Sequence, residues 1–223
     1  MAKKAPSDDL PERKKQAARV VRRLRADYPD AECALRFDSP LQLLVATILS
    51  AQCTDERVNL VTKVLFAKYP TAADLAGLPI AKLETLVKST GFFRNKAKAI
   101  KACCTELVQK HDGQPPRDLE TLVGLAGVGR KTASVVLGTA YGIPSGVVVD
   151  THVGRLSRRL GLTDQTDAVR AERDLMEVLP KKQWIDFSHR MIHHGRAVCG
   201  ARRAKCDACS MAGFCPRIGL EGR

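Results

Sequence analysis

The sequence predicts an all-α protein, and three observations lead to that prediction. Apolar residues recur at helical spacing along most of the chain, helix-capping residues precede several of these runs, and Gly/Pro clusters separate them. The β-branched run at residues 147–149 has no partner run with which it would form a sheet. We therefore expect a succession of helices joined by loops.

In the first half of the chain, capping residues predict where the helices begin. Ser39 is a predicted N-cap with Pro40 at the first helical position. The apolar residues that follow repeat at i, i+3, i+4, i+7 and i+8, and they are Leu41, Leu44, Val45, Ile48 and Leu49. Further helices are predicted to begin at Thr54, at the capping-box pair Thr71 and Asp74, at Pro79 and at about Asn95.

In the second half, a short helix leads into a glycine-rich turn, and an apolar helix follows the turn until residues 141–146 end it. Further helices are expected near residues 151–160, 167–178 and 181–194. Residues 1–13 are polar and charged, so they are predicted to form a mobile basic tail.

Composition indicates a nucleic-acid partner. The 223 residues carry 37 Lys plus Arg against 24 Asp plus Glu, a formal net charge of +13, which favours a polyanionic partner. There is no apolar run of membrane-spanning length and no secretion signal at the start, so the expected location is the cytoplasm or the nucleoid. In that setting eight cysteines favour metal-binding or buried thiols over disulfides.

The glycine-rich turn spans residues 125–131 and ends in a lysine. Its glycines permit positive φ and close backbone approach, so the N–H groups of Gly127, Val128, Gly129 and Arg130 are predicted to bind phosphate. Lys131 begins the next helix, whose positive end disfavours an ammonium, so its amine is a candidate nucleophile. The alternative is an ordinary turn followed by a solvated lysine, and the turn alone does not decide between them.

A second candidate residue, Asp150, lies nineteen residues after Lys131. It precedes a predicted helix, so it is either an N-cap or a partly buried carboxylate that acts in catalysis. A carboxylate near Lys131 would accept its proton or stabilise positive charge that develops on a sugar.

Four cysteines near the end of the chain follow the pattern C-x6-C-x2-C-x5-C, and they are Cys199, Cys206, Cys209 and Cys215. One close pair flanked by two single cysteines suits a 4Fe-4S cluster better than zinc, whose sites usually combine two knuckles. Three cations lie inside this array and are predicted either to bind phosphate or only to solvate the loop: Arg202, Arg203 and Lys205.

The turn, Asp150 and the cysteine array, in this order, resemble the endonuclease III family of bifunctional DNA glycosylases, within the helix-hairpin-helix superfamily. The resemblance covers residues 14–216. It implies a monomer that removes oxidised pyrimidines such as thymine glycol from double-stranded DNA and also acts on abasic sites. Lys131 would form a Schiff base with C1′ and permit β-elimination, Asp150 would be the catalytic aspartate, and the four cysteines would bind a 4Fe-4S cluster.

The resemblance also implies an architecture and two further DNA contacts. Two helical domains with a cleft between them are expected: a six-helix barrel with the helix-hairpin-helix at residues 33–144, and a cluster domain at residues 14–32 plus 145–223. Gln52 matches the glutamine that fills the gap left by a flipped nucleotide. Phe92 falls where the family inserts an apolar wedge, commonly leucine, so the aromatic ring is a departure.

Two other functions are compatible with parts of this pattern. An adenine-mismatch glycosylase of the same superfamily would share the turn and the cluster, but that family lacks the lysine and adds a C-terminal domain, whereas eight residues follow Cys215 here. A non-catalytic helix-hairpin-helix module would need the glycines but would have no use for Lys131 together with Asp150.

Overall fold

The computed structural model describes residues 9–220, and its secondary structure over that range is helical. The α-helices in chain order are α1 (Leu10–Asp27), α2 (Pro40–Ser50), α3 (Asp55–Lys68), α4 (Ala72–Gly77), α5 (Ile80–Val87), α6 (Phe93–Lys110), α7 (Leu119–Gly124), α8 (Arg130–Tyr141), α9 (Thr151–Arg159), α10 (Ala168–Val178) and α11 (Trp184–Ala197). Within the described range, β-pairing is limited to one isolated bridge between Cys199 and Ala204. The all-α prediction is confirmed.

The predicted caps are present and show why these helices begin where they do. The side chain of Ser39 accepts a hydrogen bond from the Gln42 N–H at 3.2 Å. Thr71 and Asp74 form a reciprocal capping box, with Thr71 N–H donating to Asp74 Oδ2 at 2.9 Å and Asp74 N–H to Thr71 Oγ1 at 3.1 Å. Each bond satisfies a backbone donor that a helix start leaves without a partner.

The predicted N-terminal tail is wrong for residues 10–13, which are already helical in α1. The Arg13 guanidinium donates to Leu162 O at 3.2 and 2.9 Å and pairs with Asp174 at 3.5 Å. These partners lie far away in sequence, so local composition carried no sign of them. Asp9 is the N-cap of α1, and residues 1–8 of the predicted tail lie outside the described residues.

The chain divides into two compact units. One comprises the chain up to Glu32 together with the part from Gly146 onward, and the other spans Cys33–Ser145. The former has a core that includes Leu24, Leu156 and Phe187, while the latter is built around a larger aliphatic cluster. No helix in the described part of the chain is long and apolar enough to cross a membrane.

The unit Cys33–Ser145 contains seven α-helices, α2 to α8, and the six-helix barrel expected for this part of the chain stays a prediction. The short helices α4 and α7 are separate elements because each has its own N-cap, Thr71 and Asp118. This unit carries the glycine-rich turn and Lys131, whereas Asp150 and the four clustered cysteines belong to the other unit.

Candidate functional site

The glycine-rich turn joins α7 to α8 and is fastened to its unit by two buried side chains, Leu125 and Val128. Val128 N–H donates to Leu125 O at 3.1 Å, which closes the turn. Val128 as a whole is only 4% exposed, and its N–H already donates within the turn. A phosphate contact by Val128 therefore stays a prediction, which this burial and this hydrogen bond do not favour.

The two glycines of the turn are needed for different reasons. Gly127 has φ +75°, and a Cβ there would lie 2.6 Å from Ala99 Cβ, so the fold itself excludes a side chain. Gly129 is the N-cap of α8 with φ −84° and ψ 171°, so of the two glycines it is Gly127 that uses the positive φ that glycine permits. A Cβ on Gly129 would meet nothing within 4 Å. Packing among residues 9–220 thus gives no reason for a glycine at 129.

Lys131 is the second residue of α8 and is exposed, as is Arg130 before it. The buried face of α8 begins two residues later, at Ala133 and Ser134, which leaves the first turn of the helix at the surface. Lys131 therefore lies in the exposed first turn of α8 and is accessible to a large substrate.

Asp150 is the N-cap of α9, half-buried at the surface of its unit. Its Oδ1 accepts hydrogen bonds from His152 N–H and Val153 N–H, both at 2.8 Å. The capping interpretation of Asp150 therefore holds for one oxygen. Oδ2 takes part in neither of these capping bonds, so this second oxygen is available for the proposed role in catalysis.

Gln52 and Phe92 share an uncommon backbone conformation. Their φ angles are +52° and +46°, in the left-handed region that side chains other than glycine rarely adopt. Both residues are exposed, and the Phe92 side chain is 64% accessible. Such strain tends to occur at functional positions, where the surrounding structure maintains it. With this exposure, Phe92 is not part of the hydrophobic core.

The four clustered cysteines line one cavity together with apolar side chains that include Leu156, Val198 and Met211. No disulfide joins any of the eight cysteines, all of which lie within the described range. Burial raises the pKa of the Cys209 and Cys215 thiols; backbone hydrogen bonds oppose this effect and neighbouring cysteines add to it. Across residues 9–220, no three His, Cys, Asp or Glu side chains form a group that would hold a metal ion as placed.

Arg159 is a residue of this centre that the sequence analysis missed. Although only 6% exposed, its guanidinium donates to Cys199 Sγ at 3.2 Å and to the carbonyls of Gly200 and Ala201 at 2.8 and 3.1 Å. An arginine in a helix is usually solvated, and only the fold brings this one to the cysteine loop.

The cations inside the cysteine array lie at the surface, as the sequence predicted for a basic loop. Arg202, Arg203 and Lys205 are all exposed. Lys205 Nζ donates to Ala197 O at 3.1 Å, which ties its side chain back to the end of α11. The loop thus presents positive charge next to a half-buried thiol centre.

Comparison with known proteins assigns the chain to a family. Residues 45–181 match the model of the HhH-GPD superfamily of base excision DNA repair proteins. The chain is 54% identical to the endonuclease III of Synechocystis sp. over 92% of its length and 93% of that protein, and 44% identical to that of Bacillus subtilis over 84% and 86%.

Comparison with solved structures supports the same family assignment. The protein is similar in structure to an endonuclease III trapped in a covalent intermediate with DNA, with a TM-score of 0.86 and 43% identity, over 91% of this chain and 95% of that one. The chain belongs to the endonuclease III family, within the HhH-GPD superfamily of base excision DNA repair proteins.

Proposed function

We propose that this DNA glycosylase removes oxidised pyrimidines of the thymine glycol type from duplex DNA and then cleaves the abasic product through Lys131. The observation that carries the proposal is the exposed Lys131 amine, which follows the glycine-rich turn at the start of α8. A similar protein, 43% identical, has been trapped as a covalent intermediate with DNA, and such an intermediate requires a nucleophile on that protein.

In the proposed chemistry, a single covalent bond between Lys131 Nζ and C1′ serves both base removal and strand cleavage. The unprotonated Lys131 Nζ attacks C1′, and the glycosidic bond breaks so that the base leaves with its electron pair and a proton. The C1′–O4′ bond of the resulting aminal then breaks as O4′ takes a proton, which opens the sugar ring and leaves a Schiff base between Nζ and C1′. The Schiff base acidifies the C2′ hydrogen, and loss of that proton expels the 3′ phosphate by β-elimination. Water then hydrolyses the Schiff base and frees the Lys131 amine. Asp150, through the oxygen that does not cap α9, accepts the lysine proton or stabilises the positive charge on the sugar.

The glycine-rich turn would hold the DNA backbone while this chemistry proceeds. The N–H groups at the start of α8 have no partner within the helix, and the helix dipole favours an anion there. Gly129 is exposed and has open space where a Cβ would stand, so a phosphate can approach its backbone closely. Arg130, Arg202, Arg203 and Lys205 would add sequence-independent affinity.

Alanine variants at Gly127 and Gly129 test the two glycines separately, the first for its effect on stability and the second for its effect on DNA binding. Gly127→Ala should lower the free energy of unfolding by about 1–3 kcal/mol, because alanine is strained at positive φ and its Cβ would clash with Ala99. Gly129→Ala should change stability by less than about 0.5 kcal/mol but weaken binding to abasic duplex DNA roughly tenfold, because its methyl group would obstruct the phosphate. Thermal unfolding and fluorescence anisotropy measure the two effects. Unchanged affinity in Gly129→Ala would remove the proposed phosphate contact.

Gln52 and Phe92 would stabilise the duplex in the distorted form from which the target base has been unstacked. An enzyme that acts on a base must take it out of the stack, and an apolar wedge with a polar filler serves that purpose. Phe92 has the exposure of a wedge and Gln52 that of a filler, and both have a fixed, strained backbone.

We also propose that Cys199, Cys206, Cys209 and Cys215 bind a 4Fe-4S cluster. The donor set fits, because such a cluster takes four thiolates and these four thiols surround one cavity. The buried Arg159 guanidinium, which stays charged, also fits, since a cluster with four thiolates is a dianion. When bound, the cluster cross-links residues 199–215 and so fixes the basic loop. The chemistry at C1′ is left to Lys131 and Asp150.

A substrate panel tests the proposed function. Duplexes that contain thymine glycol, dihydrouracil, a uracil mismatch, an adenine mismatch or a plain abasic site are incubated with the protein, and base release and strand cleavage are measured separately. We expect release of thymine glycol and dihydrouracil and cleavage at the abasic site. Release of adenine alone would favour the adenine-mismatch alternative. Binding without release or cleavage on every duplex would favour the non-catalytic module.

Asp150→Asn tests the carboxylate within the same panel. Asparagine caps helices as well as aspartate does, so the fold and the Oδ1 hydrogen bonds should survive. We expect base release to slow by about a hundredfold or more, within the range typical of lost proton-transfer catalysis, while DNA affinity changes little. Thymine glycol release at the wild-type rate would refute the proposed role.

A further inference from the structure

Lys96, in α6, is a buried lysine that joins two segments of its unit. Its side chain is 5% exposed, and its Nζ donates to Leu49 O at 2.8 Å and to Thr90 O at 2.7 Å. Burial lowers the pKa of this amine from its ordinary value, while Cys53 raises it. Burial of an ammonium group is unfavourable unless hydrogen bonds compensate for the loss of its hydration.

The two acceptor carbonyls lie just before the two strained residues described above. Leu49 is in the last turn of α2, three residues before Gln52. Thr90 closes the 3-10 helix Lys88–Thr90, two residues before Phe92. Carbonyls at a helix end lack a partner within the helix, so an ammonium placed there fixes the end of that helix.

We infer that Lys96 is a positioning residue that holds the Gln52 and Phe92 segments in one arrangement, ready to replace and unstack a target base. This inference rests on the proposed function of the site. Lys96 is buried beneath the two segments and acts only through their backbone. One ammonium shared by both carbonyls fixes each segment relative to the other, which two separate anchors would not do.

The inference predicts a selective defect. A base in a duplex must be unstacked before it is removed, whereas a plain abasic site has no base to unstack. Lys96→Met, which keeps the length of the side chain but removes the donors, should slow thymine glycol release about tenfold, as expected if roughly 1.4 kcal/mol of positioning is lost. Cleavage at a preformed abasic site should stay within about twofold of wild type, since catalytic groups are untouched.

Lys101 supplies the matched control. It lies on the same helix, and its Nζ also donates to two backbone carbonyls, Ala76 O and Leu78 O, away from both strained residues. Lys101→Met should show no preference between the two substrates. Fluorescence of 2-aminopurine placed beside the lesion should report reduced unstacking in Lys96→Met alone. If that variant does not fold, Lys96→Arg, which keeps the charge but shifts the donors, replaces it in the same assays.

The outcomes are distinguishable. Equal slowing of both reactions in Lys96→Met, or the same selective loss in Lys101→Met, would overturn the positioning role. A wild-type protein inactive on both substrates would refute the proposed function itself.

Discussion

Replacing Lys131 with alanine is expected to abolish covalent trapping of the protein on abasic DNA by borohydride. Borohydride reduces a Schiff base to a stable amine, and only a lysine or terminal amine forms that bond with C1′. Because Lys131 is exposed and its buried neighbours begin at Ala133, the substitution should leave the fold intact. We expect strand cleavage to fall about a thousandfold or more, since loss of a nucleophile removes the covalent pathway. Gel analysis of the trapped complex measures the effect.

Lys131→Arg separates two roles of this lysine, the formation of a Schiff base and the contribution of a positive charge to DNA binding. Arginine keeps the positive charge beside the DNA but stays protonated, so it forms no Schiff base. This variant should bind abasic duplex nearly as well as wild type and still give no trapped complex. A trapped complex of wild-type yield from either variant would assign the nucleophile to another residue.

Loss of the proposed cluster is expected to have the largest effect on stability. Purified protein should be brown and contain about four irons per chain, as a 4Fe-4S cluster requires. Cys209→Ser should lose most of this iron and destabilise the unit that includes residues 199–215 by about 3 kcal/mol or more, since metal binding and folding are coupled in such centres. Iron analysis, visible absorption and thermal unfolding measure these quantities.

The control for this substitution is Cys33→Ser, at a half-buried cysteine in the other unit. It should retain both the colour and the iron, because Cys33 does not line the cavity of the four thiols. Stoichiometric zinc without iron in wild-type protein would establish the zinc alternative. Full iron content in Cys209→Ser would remove that residue from the ligand set.

Local chemistry made much of the fold predictable. Ser39, Thr54 and Thr71 are capping residues next to apolar periodicity, and the structure has helices beginning after each of them. The start of α6 was harder to predict, because Phe92 adopts a left-handed conformation that neighbouring residues do not signal. Side chains whose partners are distant in sequence, Arg13 and Arg159, were missed or misjudged for the same reason.

The sequence was enough to predict which residues belong to the candidate site. It was not enough to predict their exposure, their backbone angles or their neighbours. Lys131 stands out in sequence because it follows two glycines, yet its exposure depends on which face of α8 packs. Gly127 and Gly129 look equivalent in sequence and differ only in φ and in the neighbours of a Cβ. Lys96 was not singled out at all, since nothing in the pattern around α6 distinguishes a buried lysine from a solvated one.

The unit that contains α1 is built from both ends of the chain, and this has a consequence for its biogenesis. Arg13 and Gln16 of α1 donate to carbonyls 144 to 198 residues later, at Leu160, Leu162 and Phe214. During synthesis, α1 leaves the ribosome long before these acceptors exist, whereas Cys33–Ser145 is contiguous and emerges complete. Because synthesis runs from the N-terminus, the unit with Lys131 is complete and able to fold first, whereas the contacts of α1 in the unit with Asp150 and the four cysteines require the chain to reach Phe214.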